Sequence, residues 1–164
     1  MAYLTGFGGE QNVQNGNDVA VLKLARQIDF SKYDANKVNK VCLASDGDEP
    51  DASKCVVMGW GATGSSSSSS VLQEVNLPML DGSSSQCHAH GQYNQASIIC
   101  AGKPNGNSCN GDSGGPYICP TKSGSSEWLQ YGIVSYGARG CKNSASFYTR
   151  VSKFISWIRP RAES

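Results

Sequence analysis

The sequence is short of charge, of histidine and of long apolar runs. Charged residues make up 16% of the 164, and the formal net charge is +1. There is no basic excess to neutralise a nucleic-acid backbone and no polybasic patch to hold a membrane surface. Neither nucleic acid nor membrane is expected as a partner. The longest apolar stretches, such as Val19 to Leu22, fall far short of the roughly 18 residues that cross a bilayer. Histidine occurs only as His88 and His90. No internal repeat of about 20 to 50 residues is present, which excludes a solenoid or propeller. The first residues, Met1 to Gly8, have neither a basic nor an apolar segment of the kind that opens a secretory leader.

What is present is glycine, serine and cysteine. At roughly 150 residues per domain the chain is one domain or a fraction of a larger one. Nineteen glycines with 38% hydrophobic residues make a loop-rich, weakly charged mixture that argues for an all-β fold. Seven cysteines suggest disulfides and a secreted, extracellular protein. Seven is odd, so three bridges leave one thiol over. That remainder, and the exported chemistry without a leader, would both be resolved by residues ahead of the N-terminus. Strand signals bounded by turn residues are read at Val19–Leu24, Cys55–Met58, Val71–Leu77, Ser97–Cys100, Pro116–Cys119, Trp128–Tyr136 and Phe147–Val151. Their spacing suits a barrel or sandwich. One helix is expected at the end, where Val151, Phe154, Ile155 and Ile158 share a face and Pro160 stops it. Ser65 to Ser70 reads as a flexible surface loop. The acidic stretch Asp46 to Asp51 lacks the spacing of a calcium loop and reads as a solvated connector.

The densest chemistry lies in Asn107-Ser108-Cys109-Asn110-Gly111-Asp112-Ser113-Gly114-Gly115-Pro116. Glycines on both sides of one serine permit a turn that exposes its hydroxyl and lets consecutive N–H groups converge where an oxyanion can sit. A serine hydroxyl is a weak nucleophile and needs a general base, normally a histidine oriented by a carboxylate. The stretch also satisfies G-x-S-x-G, the elbow of α/β-hydrolases, but that fold places its histidine after the serine and none follows Ser113. Subtilisin order, Asp, His, Ser, is formally met by Asp18, His88 or His90, and Ser113. That fold alternates strands with helices of about 10 to 15 residues, whereas this chain reads as strand after strand.

On these residues the chain resembles the C-terminal part of a chymotrypsin/trypsin-family serine protease, from about Asn15 to Pro160. Asn17-Asp18-Val19-Ala20-Val21-Leu22-Lys23-Leu24 is similar to the strand that carries the triad aspartate, and Val56-Val57-Met58-Gly59-Trp60-Gly61 to the start of the second barrel. Ile99-Cys100-Ala101-Gly102, Ser135-Tyr136-Gly137 and Phe147-Tyr148-Thr149-Arg150-Val151, leading into Trp157-Ile158, continue the match in order. The resemblance implies an all-β, six-stranded antiparallel Greek-key barrel with a C-terminal α-helix. Residues 41–164 would form this second barrel and residues 1–40 a remnant of the first barrel with its connector, Tyr3-Leu4-Thr5-Gly6 being a trace of one strand.

The same resemblance assigns roles. Ser113 would be the nucleophile, the N–H groups of Gly111 and Ser113 the oxyanion hole, and Asp18 the carboxylate that orients the histidine. Asp112 would pair with a new N-terminus released by zymogen cleavage. Neither an Ile-Val-Gly-Gly start nor an Ala-Ala-His-Cys segment ahead of Asp18 occurs in the sequence, so the general base is missing. His88 and His90 follow Cys87 in a segment that resembles an exposed loop of the second barrel, and they read as surface histidines rather than as a base or a zinc site. No metal or cofactor is expected. Cys55 would pair with Cys119, Cys87 with Cys100, and Cys109 with Cys141. Cys42 would remain unpaired, available to an upstream peptide. For substrate, Asn107 would lie at the base of the primary specificity pocket, with Ser135, Tyr136 and Gly137 along the substrate strand. Gly137 and Gly140 would leave the pocket walls open, and Ser146 would narrow the base. An Asn there cannot pair a buried Lys or Arg side chain, whose unpaired charge costs about 3–5 kcal/mol, so tryptic cleavage is disfavoured. Two functions follow: a serine endopeptidase acting on polypeptides but lacking its general base here, or an inactive homologue that binds a partner or protein inhibitor.

Overall fold

The computed structural model describes residues 2–3, 10–89, 91–104, 106–122, 126–138, 140–141 and 144–162. Leu4 to Gly6 and His90 lie outside them. The strands are β1 (Ala2–Tyr3), β2 (Ala20–Val21), β3 (Cys42–Leu43), β4 (Val56–Gly59), β5 (Gln73–Asn76), β6 (Ile98–Ala101), β7 (Pro116–Pro120), β8 (Trp128–Gly137) and β9 (Ser146–Arg150). Two helices join them, a single turn α1 (Ser85–His88) and the terminal α2 (Val151–Ala162), with short 3-10 segments at Glu10–Asn15 and Phe30–Lys32.

Six antiparallel strands form one path, β5-β4-β7-β8-β9-β6, and β3 adds a seventh strand, parallel to β8. The expected barrel is therefore not closed as a continuous ladder. The β5 ladder ends at Asn76, and Pro78 just beyond has no N–H to extend it. Among the described residues the two ends of the path meet through the bridge between Met79 and Ala101, flanked by Leu80 N–H to the Cys100 carbonyl and Gly102 N–H to that of Pro78.

The core follows from period-two burial. Val57, Tyr117, Cys119, Leu129, Tyr131 and Val134 turn inward with Leu77, Ile99 and Tyr148. The rings of Tyr117 and Tyr148 stack with centroids 4.4 Å apart, and β8 admits this pair because residue 132 is glycine, where a Cβ would lie 2.8 Å from that of Tyr148. Three disulfides brace the fold: Cys55–Cys119 joins the residue before β4 to β7, Cys87–Cys100 joins α1 to β6, and Cys109–Cys141 ties the segment before Ser113 to the β8–β9 connection. Cys42 is free and exposed.

Two local expectations need correction. Among the described residues the strand read over Val19–Leu24 pairs at Ala20–Val21, opposite Ala2–Tyr3; Leu22 and Leu24 are exposed. Pro160 does not stop the terminal helix, which runs on to Ala162. The carbonyl that Pro160 leaves without a donor belongs to Ser156, which is exposed and open to water. The inner face of α2, Val151, Phe154 and Ile158, packs against Val19, which fixes the chain one residue beyond Asp18.

Burial of the tyrosines sets an alkaline limit on stability. Desolvation pushes the Tyr148 hydroxyl up to about 12, and it raises Tyr117 and Tyr136 as well. The unfolded chain ionises these groups near 10 while the folded chain keeps them neutral, so folding stability is intact below that pH and falls as pH rises through it towards 12. Tyr148 alone accounts for about 3 kcal/mol of loss. Urea titrations at pH 8, 10 and 12 with phenolate absorbance as a second probe should show the midpoint falling only above pH 10; a flat midpoint would contradict the assignment.

Candidate active site

Ser113 sits on a turn between two glycines of positive φ, Gly111 at 97° and Gly114 at 81°, a backbone that side-chain-bearing residues rarely adopt. Ser113 is exposed. The turn is clamped on both sides. Gly114 N–H donates to the Val134 carbonyl and Val134 N–H to that of Gly115, both at 2.9 Å. The N–H groups of Asp112, Gly114 and Gly115 are all committed to backbone carbonyls. Those of Gly111 and Ser113 donate to no protein acceptor among the described residues, so this turn carries two uncommitted donors beside the hydroxyl.

Asp18 reaches the same strand. The β8–β9 register slips between Val134 and Tyr136, which leaves Ser135 as the extra residue of a bulge, a device that re-aims a side chain. Ser135 Oγ donates to Asp18 Oδ2 at 2.6 Å, and Thr149 Oγ1 donates to the Asp18 carbonyl at 2.7 Å. Adjacent residues of β8, Val134 and Ser135, therefore hold the Ser113 turn and the Asp18 carboxylate. The bend that delivers Asp18 passes through Gly16 at φ 86° and Asn17 at φ 68°. Gly16 also backs onto Ser97, whose Oγ leaves no room for a Cβ.

Asp112 projects into a glycine cradle. Its Oδ1 accepts from Gly61 N–H at 2.8 Å and its Oδ2 from Cys109 N–H at 2.9 Å. A Cβ on Gly59 or Gly61 would collide with the carboxylate, so both glycines are needed for this approach. Ala62 N–H donates to the Asn110 carbonyl at 2.7 Å, which adds a further tie between the two loops. Beside them lies a cavity of about 650 Å³ whose lining includes Gly61, Ala62, Asn107, Cys109, Asp112 and Gly140.

Asn107 is engaged at both ends: its Nδ2 donates to the Ser144 carbonyl and its Oδ1 accepts from Ser146 Oγ at 3.0 Å. Ser146 is buried at 2% exposure and pairs with Gly137 across the β8–β9 ladder. Tyr136 stacks on Phe147 with centroids 4.5 Å apart. His88 sits on α1 in the β5–β6 connection, where Nε2 meets the Gly82 carbonyl at 2.8 Å and the ring faces Tyr93.

Sequence reasoning placed Ser113, Asp18 and Asp112 as candidates but missed what holds them. Ser135 as the support of Asp18 had no local signal, because the bulge exists only once β8 meets β9. The Asp112 cradle did have one: two glycines flank Trp60, a mark of close backbone approach.

Among protein families, the model described as Trypsin matches residues 6–158. Among curated proteins, phenoloxidase-activating factor 3 of Holotrichia diomphalia is 36% identical over 148 residues, covering 87% of this chain and 41% of that protein. The chain thus spans about two fifths of the length of that relative.

Proposed function

This chain belongs to the trypsin family, and on that premise we propose that it is the nucleophile-bearing C-terminal portion of a secreted serine endopeptidase whose general-base histidine lies outside these 164 residues. The observation that carries the reading is the shared support on β8: the Ser113 turn bonds Val134 while Asp18 bonds Ser135. An imidazole oriented by Asp18 could take the Ser113 proton as Oγ attacks a scissile carbonyl. The uncommitted N–H groups of Gly111 and Ser113 would receive the oxyanion. Collapse of that intermediate releases the amine product, protonated by the imidazole, and water then hydrolyses the acyl-enzyme. The glycine-cradled Asp112 would couple the turn to an activating N-terminus. Polypeptides are the substrate class, and Cys42, free and exposed, is available for a disulfide to a preceding segment. Three disulfides support secretion.

A second reading has its own support. No histidine precedes Asp18, as suits an inactive homologue that binds a protein partner or inhibitor through the same face. A fluorophosphonate probe separates the two. The 164-residue chain is expected not to label at Ser113, while the longer natural product that includes it labels, and Ser113→Ala abolishes the reaction. Absence of labelling in the longer product would favour the inactive homologue. Robust labelling of the 164-residue chain would overturn the missing-base account.

A further inference from the structure

Asparagine is followed by glycine three times, at Asn15-Gly16, Asn105-Gly106 and Asn110-Gly111. In such a pair the side-chain amide lies within reach of the next backbone nitrogen, and glycine places no Cβ in the way. What holds that nitrogen decides whether it can attack. Gly16 N–H donates to the Val13 carbonyl at 3.0 Å, at the end of the 3-10 segment Glu10–Asn15, and Gly16 is buried against Ser97. Asn105 lies outside the described residues. Asn110 and Gly111 are both exposed. Among the described residues Gly111 N–H has no protein acceptor and the Asn110 side chain has no partner. Two bonds hold this turn, Asp112 N–H to the Cys109 carbonyl at 3.0 Å and Ala62 N–H to the Asn110 carbonyl at 2.7 Å. Neither engages the Gly111 nitrogen.

We propose that Asn110-Gly111 is a self-modifying site that gives the Ser113 turn a finite chemical lifetime. Hydroxide takes the Gly111 N–H proton and the nitrogen lone pair bonds to Asn110 Cγ. The Cγ–Nδ2 bond breaks, and Nδ2 leaves as ammonia with a proton from water. The product is a five-membered succinimide. Water then adds to one of its two carbonyls, that C–N bond breaks, and the nitrogen regains a proton. Opening on one side yields aspartate; opening on the other yields isoaspartate, with the backbone rerouted through Cβ and Cγ. One ammonia is exchanged for one water, with nothing oxidised or reduced. In the succinimide the Gly111 nitrogen carries no hydrogen, so one of the two uncommitted donors beside Ser113 is gone. Isoaspartate restores the hydrogen but adds a methylene to the backbone just ahead of Gly111, and it turns the carbonyl that Ala62 N–H had bonded into a carboxylate. Either product places a negative charge beside donors suited to receive an anion. This consequence rests on the reading of Gly111 N–H as an oxyanion donor; the modification itself does not.

The test incubates the disulfide-intact 164-residue chain at pH 6 and pH 8, digests it in acid, and maps the peptides by mass spectrometry that separates aspartate from isoaspartate. Asn110 should convert about tenfold faster than Asn15, because Gly16 N–H must first give up a buried hydrogen bond that Gly111 does not make. Conversion should be faster at pH 8, since base removes the amide proton. In the reduced, urea-unfolded chain the two rates should converge. Equal rates in the folded chain would overturn the proposal, as would an Asn110 that persists when folded and converts when unfolded. Asn110→Gln, which could close only a six-membered ring, should stay unconverted at that position. In the longer product, fluorophosphonate labelling of Ser113 should fall in step with Asn110 conversion and persist in Asn110→Gln; conversion with undiminished labelling would overturn the link to the turn. A longer product that never labels would remove the catalytic reading, and the peptide map would still decide the modification.

Discussion

Replacing Cys55 and Cys119 together by alanine is expected to cost about 4 kcal/mol of folding stability, the largest loss among the three disulfides. The bridge closes a loop with sequence separation 64, against 32 for Cys109–Cys141 and 13 for Cys87–Cys100. Loop-closure entropy of the unfolded chain rises with the logarithm of that length, which gives about 4, slightly less than 4 and about 3 kcal/mol respectively. Both sulfurs lie in the main core beside Val57, Leu77 and Leu129, so the alanine pair also leaves unfilled volume. Against a typical total of about 5–15 kcal/mol, the loss moves the midpoint by roughly 10 °C or more. Urea unfolding of the three paired variants measures the order directly. Equal losses for all three bridges would show that native-state strain, not loop length, sets their worth.

Gly61→Ala is expected to cost about 2–4 kcal/mol despite adding a single methyl. The new Cβ would stand 2.5 Å from Asp112 Cγ and 2.7 Å from its Oδ2. The carboxylate cannot move without giving up hydrogen bonds from Gly61 and Cys109, and Gly59 bounds it as well. Overpacking and lost charge-assisted bonds add in the same direction. The specific signature is non-additivity. An Asp112→Ala background removes the three atoms nearest the new Cβ, all of the carboxyl group, so Gly61→Ala should cost well under 1 kcal/mol there. The same cost in both backgrounds would mean that the glycine matters for reasons unrelated to the carboxylate. In the longer product the substitution should also suppress fluorophosphonate labelling, because Asp112 neighbours both uncommitted N–H donors.

Legibility followed the range of the interaction. The cores of β4, β6, β7, β8 and β9 were readable within a residue or two, because alternation and flanking turn residues are written in a few consecutive positions. Their failures are informative. Val19–Leu24 has the composition of a strand, but pairing beyond Val21 needs a neighbour that composition does not provide. Pro160 is a helix breaker by propensity, yet it lies in an exposed last turn where water can serve the orphaned carbonyl. β3 was missed because two residues, Cys42 and Leu43, carry no period of their own and become a strand only through their parallel contact with Leu129 and Gln130.

By itself the sequence determined the all-β class, the terminal amphipathic helix, the serine between glycines and the family whose motifs recur in order, since each depends on neighbours within a few positions. Tertiary structure alone decided how the site is held. Ser135 meets Asp18 across 117 residues, Gly61 meets Asp112 across 51, and Ser146 meets Asn107 across 39. Sheet register and one bulge select those partners, and a shift of one residue would turn Ser135 to the opposite face and release the carboxylate.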